Sequence, residues 1–317
     1  MRAQHRGRYV MGNARFPIRF RHYKPLYKTK YGRAFVADSI DFVKSLPNES
    51  IDLIVTSPPF ALIKKKKYGN KNSSSYVSWF VDNFAEQFFR ILKPTGSLVI
   101  DIGGAWNRGK PTRSLYHFEL VISLCSKGFH LAQEFYWYNS AKLPSPAQWV
   151  NIERIRVKDA VNPVWWLSKS DRPKADNRRI LTPYKPSMLK LFENGYNDGP
   201  RPSGHNISTK WNKNNGGAIP GNLLGYDNLL EIANTNSNDK YLRACKKLGV
   251  APHPARFPLQ LPDFFIRFLT EENDVVYDPF GGSGVTGEAA ENNKRFWITS
   301  EINPEYVKMS RYRFINE

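Results

Sequence analysis

One stretch constrains the fold of this chain more than any other: Asp278-Pro-Phe-Gly-Gly-Ser-Gly-Val-Thr-Gly287. It follows the apolar run Asp274-Val-Val-Tyr-Asp278 and precedes a helical pattern reaching about Asn293, so it reads as a turn from a strand into a helix. Within it Gly282, Gly284 and Gly287 make a G-x-G-x-x-G. Such glycines let a ligand approach the backbone closely, and the start of the helix offers unpaired N–H groups. Glu301 ends the next expected strand, seventeen residues after Gly284. A carboxylate there can accept hydrogen bonds from both hydroxyls of a ribose. Strand, turn, helix, strand and acid in this order predict a site for a nucleoside-containing cofactor; the alternative is a plain structural turn.

A nicotinamide dehydrogenase carries this fingerprint at the start of its sheet, with about a hundred or more residues after it. Here sixteen residues follow Glu301. The expectation is therefore a circularly permuted sheet whose remaining strands lie upstream. The upstream pattern agrees. Apolar runs at Ile51–Thr56, Ser97–Ile102, Ala132–Tyr138 and Val164–Ser168 read as strands, and Ser73–Leu92 and Leu115–Lys127 as helices. Lys93-Pro-Thr-Gly96 is expected to stop the first helix. Such alternation implies a sheet with parallel strands covered by helices. Downstream, Pro262–Leu269 reads as a helix, Arg295–Ser300 as a strand, and a last helix starts at Asn303. Between Asn177 and Asn238 the periodicity is lost and twelve asparagines occur, many near glycines. That composition means turns and loops. Trp211, Tyr184, Tyr196 and Tyr226 favour an ordered module over a disordered insert. Four parts are expected: a basic arm (1–33), one half of an α/β domain (34–170), the loop-rich region (171–248) and the glycine-turn half (249–317).

The expected strand Ile51–Thr56 runs into Ser57-Pro-Pro-Phe60. Open α/β sheets bind ligands at the carboxyl ends of such strands. Two successive prolines remove two N–H donors and leave carbonyls outside any regular ladder. The result is a rigid row of acceptors beside the Ser57 hydroxyl. A planar amino group needs such acceptors to attack a methyl group, because accepting from both N–H bonds localises the nitrogen lone pair. Phe60 can stack on the ring that carries the amino group, or sit in the core.

The net charge is +19 and the pI about 9.8, which favours a polyanion such as nucleic acid as partner. Met1–Arg33 holds ten Lys or Arg and no apolar core of a signal peptide. No run approaches the 18 or so apolar residues of a membrane span. Two cysteines, Cys125 and Cys245, allow neither a disulfide framework nor a zinc site, and a reducing, cytoplasmic setting is expected.

Ser-Pro-Pro-Phe ahead of Asp-Pro-Phe-x-Gly-Ser-Gly resembles the beta-class amino-methyltransferases of restriction–modification systems. Leu92-Lys-Pro-Thr-Gly-Ser-Leu-Val99, Glu134-Phe-Tyr-Trp-Tyr138, Lys142-Leu-Pro-Ser-Pro146, Arg156-Val-Lys-Asp159 and His253-Pro-Ala-Arg-Phe-Pro258 are similar to the PvuII-type cytosine-N4 branch of that class. The resemblance covers nearly the whole chain. It implies a circularly permuted Rossmann-like methyltransferase fold with an inserted target-recognition region, S-adenosyl-L-methionine as cofactor, duplex DNA as partner and a cognate restriction endonuclease in the same system. It further implies that Ser57, Pro58, Pro59 and Phe60 are catalytic. Asp278, Phe280, Gly282, Ser283, Gly284 and Thr286 would surround the methionine end of the cofactor, with His253, Pro254 and Phe257 packed beside it. Glu301 would hold the ribose, and Asp38 would contact the adenine or cap the helix near Ile40. Val285 stands where Thr is common and Ala37 where Gly is common. His253 before proline also suits a structural role. Phosphate contacts are expected from Lys64, Lys65, Lys66, Lys67, Arg178, Arg179, Lys210 and Lys213. The expected reaction is direct transfer to cytosine N4 of a base flipped from the duplex. The alternatives are transfer to adenine N6, a non-catalytic DNA-binding relic of the fold, and a methyltransferase of RNA or protein glutamine. The order of the motifs speaks against the last.

Overall fold

The computed structural model describes residues 15–61, 71–139, 141–195, 199–204, 206–207, 213–225 and 239–315. In chain order the elements are β1 (Tyr27–Lys28), β2 (Gly32–Val36), α1 (Ser39–Ser45), β3 (Ile51–Thr56), α2 (Ser73–Phe80), α3 (Glu86–Ile91), β4 (Leu92–Asp101), α4 (Tyr116–Ser126), β5 (His130–Tyr138), β6 (Val161–Ser168), α5 (Pro186–Asn194), β7 (Gly199–Pro200), β8 (Asn206–Ile207), β9 (Leu223–Leu224), α6 (Lys240–Lys247), α7 (Gln260–Leu269), β10 (Val275–Asp278), α8 (Val285–Asn292), β11 (Phe296–Glu301) and α9 (Pro304–Ser310). Nine strands form one sheet in the order β1-β2-β11-β10-β3-β4-β6-β5-β9. The strand before the glycine turn thus lies beside the strand before Ser57, which is the permuted arrangement expected.

β2, β11, β10, β3 and β4 are mutually parallel. The parallel strands expected are thus present, and β4–β6 and β5–β6 run antiparallel beside them, so the sheet is mixed. The cause is the connection from β5 to β6, which among the described residues has one short π-helical turn (Gln148–Ile152) and no helix that crosses the sheet. Continuous apolar runs such as Ile51–Thr56 are buried along their whole length, because helices cover both faces. One face carries Phe42, Phe84, Phe88, Ile100 and Ile298, the other Leu53, Val99, Phe264, Phe265 and Trp297. Gly32 is required by this packing: a Cβ there would lie 1.8 Å from the Trp297 ring.

The helix expected over Ser73–Leu92 is interrupted by a π-helical turn at Val81–Ala85. Asn83 donates to the Trp79 carbonyl at 2.7 Å, a side-chain bond that competes with the regular ladder. Its end falls at Ile91, and Lys93–Gly96 already belong to β4. Residues 15–33 are not merely an arm. Phe16 and Phe20 pack on Phe296 and Phe35, and Tyr27 bonds Ser310 at 2.8 Å. In the loop-rich region the described elements are a 3-10 turn, α5, the β7–β8 pair, β9 and α6. No helix among the described residues is long and apolar enough to cross a membrane.

Candidate active site

The crossover from β3 runs to β4 and that from β10 runs to β11 on the opposite side. The chain therefore reverses direction across the sheet between β10 and β3, and a crevice opens at the carboxyl ends of these two strands. Both motifs flank it. A bond from the Thr56 hydroxyl to Asp278 Oδ1, 2.7 Å, ties the two strand ends together.

On the β10 side, Asp278 is buried and organises the turn. Its Oδ2 accepts from the Thr286 hydroxyl at 2.7 Å, and its Oδ1 also accepts from Phe280 N at 3.0 Å. Burial pushes its carboxyl upward, and these donors and Thr56 pull it back. Ser283 is buried and accepts from Arg313 at its carbonyl, 2.6 Å, and at its hydroxyl, 3.3 Å. Asp278, Ser283 and Thr286 thus shape the turn from within. Phe280 packs on Phe84 and Trp79. Gly282 and Gly284 have φ of +48° and +77°, which side chains rarely adopt. A Cβ on Gly282 would lie 3.3 Å from the His253 ring. That ring stands edge-on to Tyr306, and His253 N donates to the Tyr241 hydroxyl at 2.8 Å. Burial lowers the His253 pKa, so a neutral packing role suits it. Pro254 is exposed beside it, and Phe257 is half-buried against the second core face.

Glu301 sits at the end of β11, where Oε2 accepts from Gly282 N at 3.1 Å and Oε1 from Asn303 N at 2.9 Å. Burial raises its carboxyl above the usual range. The Ile302 backbone N–H also favours the charged form, as hydroxyl donors from a ligand would. Exposed Ile302 follows it, an apolar surface for a purine that the sequence reading did not single out. Asp38 lies at the end of neighbouring β2 and caps α1, accepting from Ile40 N at 2.9 Å. A carboxylate at the strand end, a backbone approachable at two left-handed glycines and an apolar neighbour together fit S-adenosyl-L-methionine. The two ribose hydrogen bonds expected of Glu301 would be worth roughly 1.5–3 kcal/mol each, and Glu301→Ala would remove them. We therefore expect at least about tenfold weaker S-adenosyl-L-methionine binding by calorimetry. An unchanged dissociation constant would remove Glu301 from the site.

On the β3 side, the Ser57 hydroxyl donates to Asp101 Oδ2 at 3.0 Å. Asp101 ends β4, the strand next to β3, and is buried. Burial pushes its pKa up to about 6, with the Ser57 bond and the charge of Lys142 pulling down. Its Oδ1 has no hydrogen-bond partner among the described residues. Lys142 is held nearby by Asn162 at 2.6 Å. Sequence reading missed Asp101, although it lies near the end of the expected strand Ser97–Ile102 and is closely followed by Gly103-Gly104, a signal of close approach. A Cβ on Gly103 would fall 2.5 Å from the Phe60 ring, so this glycine makes room for Phe60. The Tyr116 hydroxyl donates to the Gly103 carbonyl and fixes the same segment.

Of the expected phosphate contacts, Lys64–Lys67 and Lys210 lie outside the described residues. Lys213 is exposed. Arg178 is exposed but forked onto Asp176 at 2.7 and 2.8 Å, and Arg179 pairs with Glu271 at 2.8 Å. Cys125 lies on α4 and Cys245 is buried on α6, where a loop was expected.

Comparison with known proteins agrees with this geometry. The chain is 50% identical over 297 residues to the Type II methyltransferase M.PvuII of Proteus hauseri, covering 92% of this chain and 86% of that one. A solved PvuII DNA methyltransferase, described as cytosine-N4-specific, superposes with a TM-score of 0.75 at 45% identity, covering 93% of this chain and 90% of that one. The fold is shared with TTHA0409 of Thermus thermophilus, solved with S-adenosyl-L-methionine, at a TM-score of 0.54, 19% identity and coverage of 89% and 93%. The model of a family described as DNA methylase, for N6 and N4 enzymes, matches residues 51–311, and the chain belongs to that family.

Proposed function

We infer that this chain is an S-adenosyl-L-methionine-dependent DNA methyltransferase that methylates the exocyclic N4 of cytosine in duplex DNA. The observation that carries the reading is the Ser57–Asp101 bond at the edge of the crevice shared with the glycine turn. The hydroxyl hydrogen points to the carboxylate, so the lone pairs of Ser57 are left to accept from an incoming amino group. The Pro58 carbonyl is the second acceptor, and Phe60, seated on Gly103, is the face against which the extruded ring stacks. The bound cofactor supplies an electrophilic sulfonium methyl. The chain's own work is to hold the amino nitrogen, with its lone pair localised, in line with that methyl, so that orientation supplies most of the rate gain.

Cytosine is favoured over adenine by the neutral Ser57 at the first motif position and by the 50% identity to M.PvuII, whose solved structure is described as cytosine-N4-specific. Transfer to adenine N6 would use the same groups with another base pocket. Digesting DNA methylated by the purified chain and identifying the nucleosides by mass spectrometry should give N4-methyldeoxycytidine. N6-methyldeoxyadenosine alone would overturn the base and leave fold and cofactor standing. Residues 171–248 are the proposed reader of the sequence, with the basic residues there and Lys64–Lys67 as phosphate contacts. Exchanging 171–248 for a relative's should change the methylated site in the same assay. The role implies work in the cytoplasm beside a restriction endonuclease of matching specificity, and DNA from cells expressing the chain should resist that nuclease.

A further inference from the structure

Past Asp101 the chain does not turn directly into α4. It first forms a small hairpin over residues 105–114. Trp106 and Arg113 are bridge partners, Asn107 N donates to the Thr112 carbonyl at 3.0 Å, and Ser114 N to the Ala105 carbonyl at 2.9 Å. The turn is closed by Lys110 N to the Asn107 carbonyl at 3.2 Å, with Gly109 at a φ of +69°. The Asn107 side chain cross-links the arms, donating to Thr112 Oγ1 at 3.0 Å and the Arg113 carbonyl at 3.2 Å.

The base is stiffened from the β5–β6 connection. The Arg156 guanidinium stacks on the Trp106 ring at 3.9 Å, Trp149 lies 6.0 Å from the same ring, and Arg156 donates to the Pro111 carbonyl. Arg113 is paired with Asp159 at 2.9 Å. Gly104 admits this packing, since a Cβ there would meet the Arg113 guanidinium at 1.6 Å. All this bracing leaves Arg108 and Lys110 exposed at the tip, with neither in an ion pair among the described residues. Arg154 adds a further exposed cation from the bracing segment, next to the exposed apolar side chains of Ile155 and Val157.

The base of the hairpin packs on the fold, while Arg108 and Lys110 at its tip do not. The hairpin continues the strand end that holds Ser57 through Asp101, and so it starts at the rim of the same crevice.

We propose that the 105–114 hairpin is a phosphate clamp: Arg108 and Lys110 grip the DNA backbone beside the extruded nucleotide, without reading sequence. This rests on the DNA methyltransferase reading above. Ile155 and Val157 suit the apolar faces of the neighbouring deoxyriboses. The clamp lies outside residues 171–248, so it separates holding the duplex from choosing the site.

The test uses the full chain and a duplex containing its methylated site, with binding measured against salt. Each phosphate contact contributes about 0.9 to the slope of log K against log salt. The double variant Arg108→Ala, Lys110→Ala should therefore lower the slope by roughly 1.8 and weaken binding at least about tenfold at 0.1 M salt. Its melting temperature, S-adenosyl-L-methionine affinity and methylated sequence should stay as in the parent. The exchange Arg108→Lys, Lys110→Arg should keep the parental slope. If the parent neither binds nor methylates DNA, the reading of the active site has failed. If the parent does both and the alanine variant has the parental slope, the clamp alone is overturned. A changed methylated sequence, or an exchange variant as weak as the alanine one, also overturns it.

Discussion

Ser57→Ala is expected to lower the rate of methyl transfer by roughly ten- to a thousandfold, the loss of one hydrogen bond made in the transition state. The dissociation constant of S-adenosyl-L-methionine should change little, because Ser57 lies on the β3 side of the crevice and Glu301 on the other. Asp101→Asn should be nearly as slow, and its signature is in the pH profile. The Asp101 pKa is raised by burial from its ordinary 3.8 to about 6. Once protonated, Asp101 no longer holds the Ser57 hydrogen strongly, and the hydroxyl can turn its hydrogen toward the target amino group. Parental turnover should therefore fall as pH drops through about 6, and Asp101→Asn should lose that limb. Stability should move the other way. The folded state binds this proton more tightly than the unfolded one, so the contribution of Asp101 is most favourable below pH 4 and is lost as pH rises through 6. At pH 8 the buried carboxylate is a cost on the order of 1–3 kcal/mol, and Asp101→Asn should melt at a higher temperature than the parent there but not at pH 4. A flat acid limb in the parent, or equal rates for parent and Ser57→Ala, would falsify the role of the pair.

Much of this site was legible because it is local in sequence. Ser57-Pro-Pro-Phe60 and the glycine turn each announce themselves within ten residues, and the strand before each sets which end of the sheet they occupy. The fold class was legible for the same reason: runs such as Ile51–Thr56 are buried on both faces and read as strands without their partners. What stayed hidden needs tertiary pairing. Asp101 looks in sequence like any other strand-end aspartate, and its role appears once β3 and β4 are neighbours. Asp278, Ser283 and Thr286 belong to the expected cofactor motif, yet their polar atoms are spent on Thr56, Arg313 and one another. Motif position alone cannot tell a residue that touches a ligand from one that shapes the backbone that does. The antiparallel β5–β6 pair was missed because strand patterning carries no direction.

Arg313 is the residue whose loss should damage the fold most at the site. Its guanidinium is buried and donates to Ser283 O at 2.6 Å, Glu288 at 2.7 Å and Asp239 at 3.2 Å. It also lies 5.0 Å from the Tyr241 ring. Asp239 in turn caps α6, accepting from Leu242 N at 2.7 Å. The Tyr241 hydroxyl holds His253 N, and the His253 ring faces Gly282. One side chain near the end of the chain thus joins the glycine turn, α8 and α6, the last element before the His253 segment. Arg313→Met would leave two half-buried carboxylates and a buried carbonyl without their donor. Breaking such a cluster costs about 3–5 kcal/mol, against which the methionine's own burial returns little. The melting temperature should fall by roughly 5–15 °C. Because Ser283 sits between the two left-handed glycines, S-adenosyl-L-methionine binding should weaken as well, even at a temperature where the variant is folded by circular dichroism. Arg313→Lys keeps the charge but loses the fork, so it should fall between the two. A variant that melts at the parental temperature would show that the turn holds its shape without this brace. One that is destabilised but binds cofactor at parental affinity would confine Arg313 to the fold.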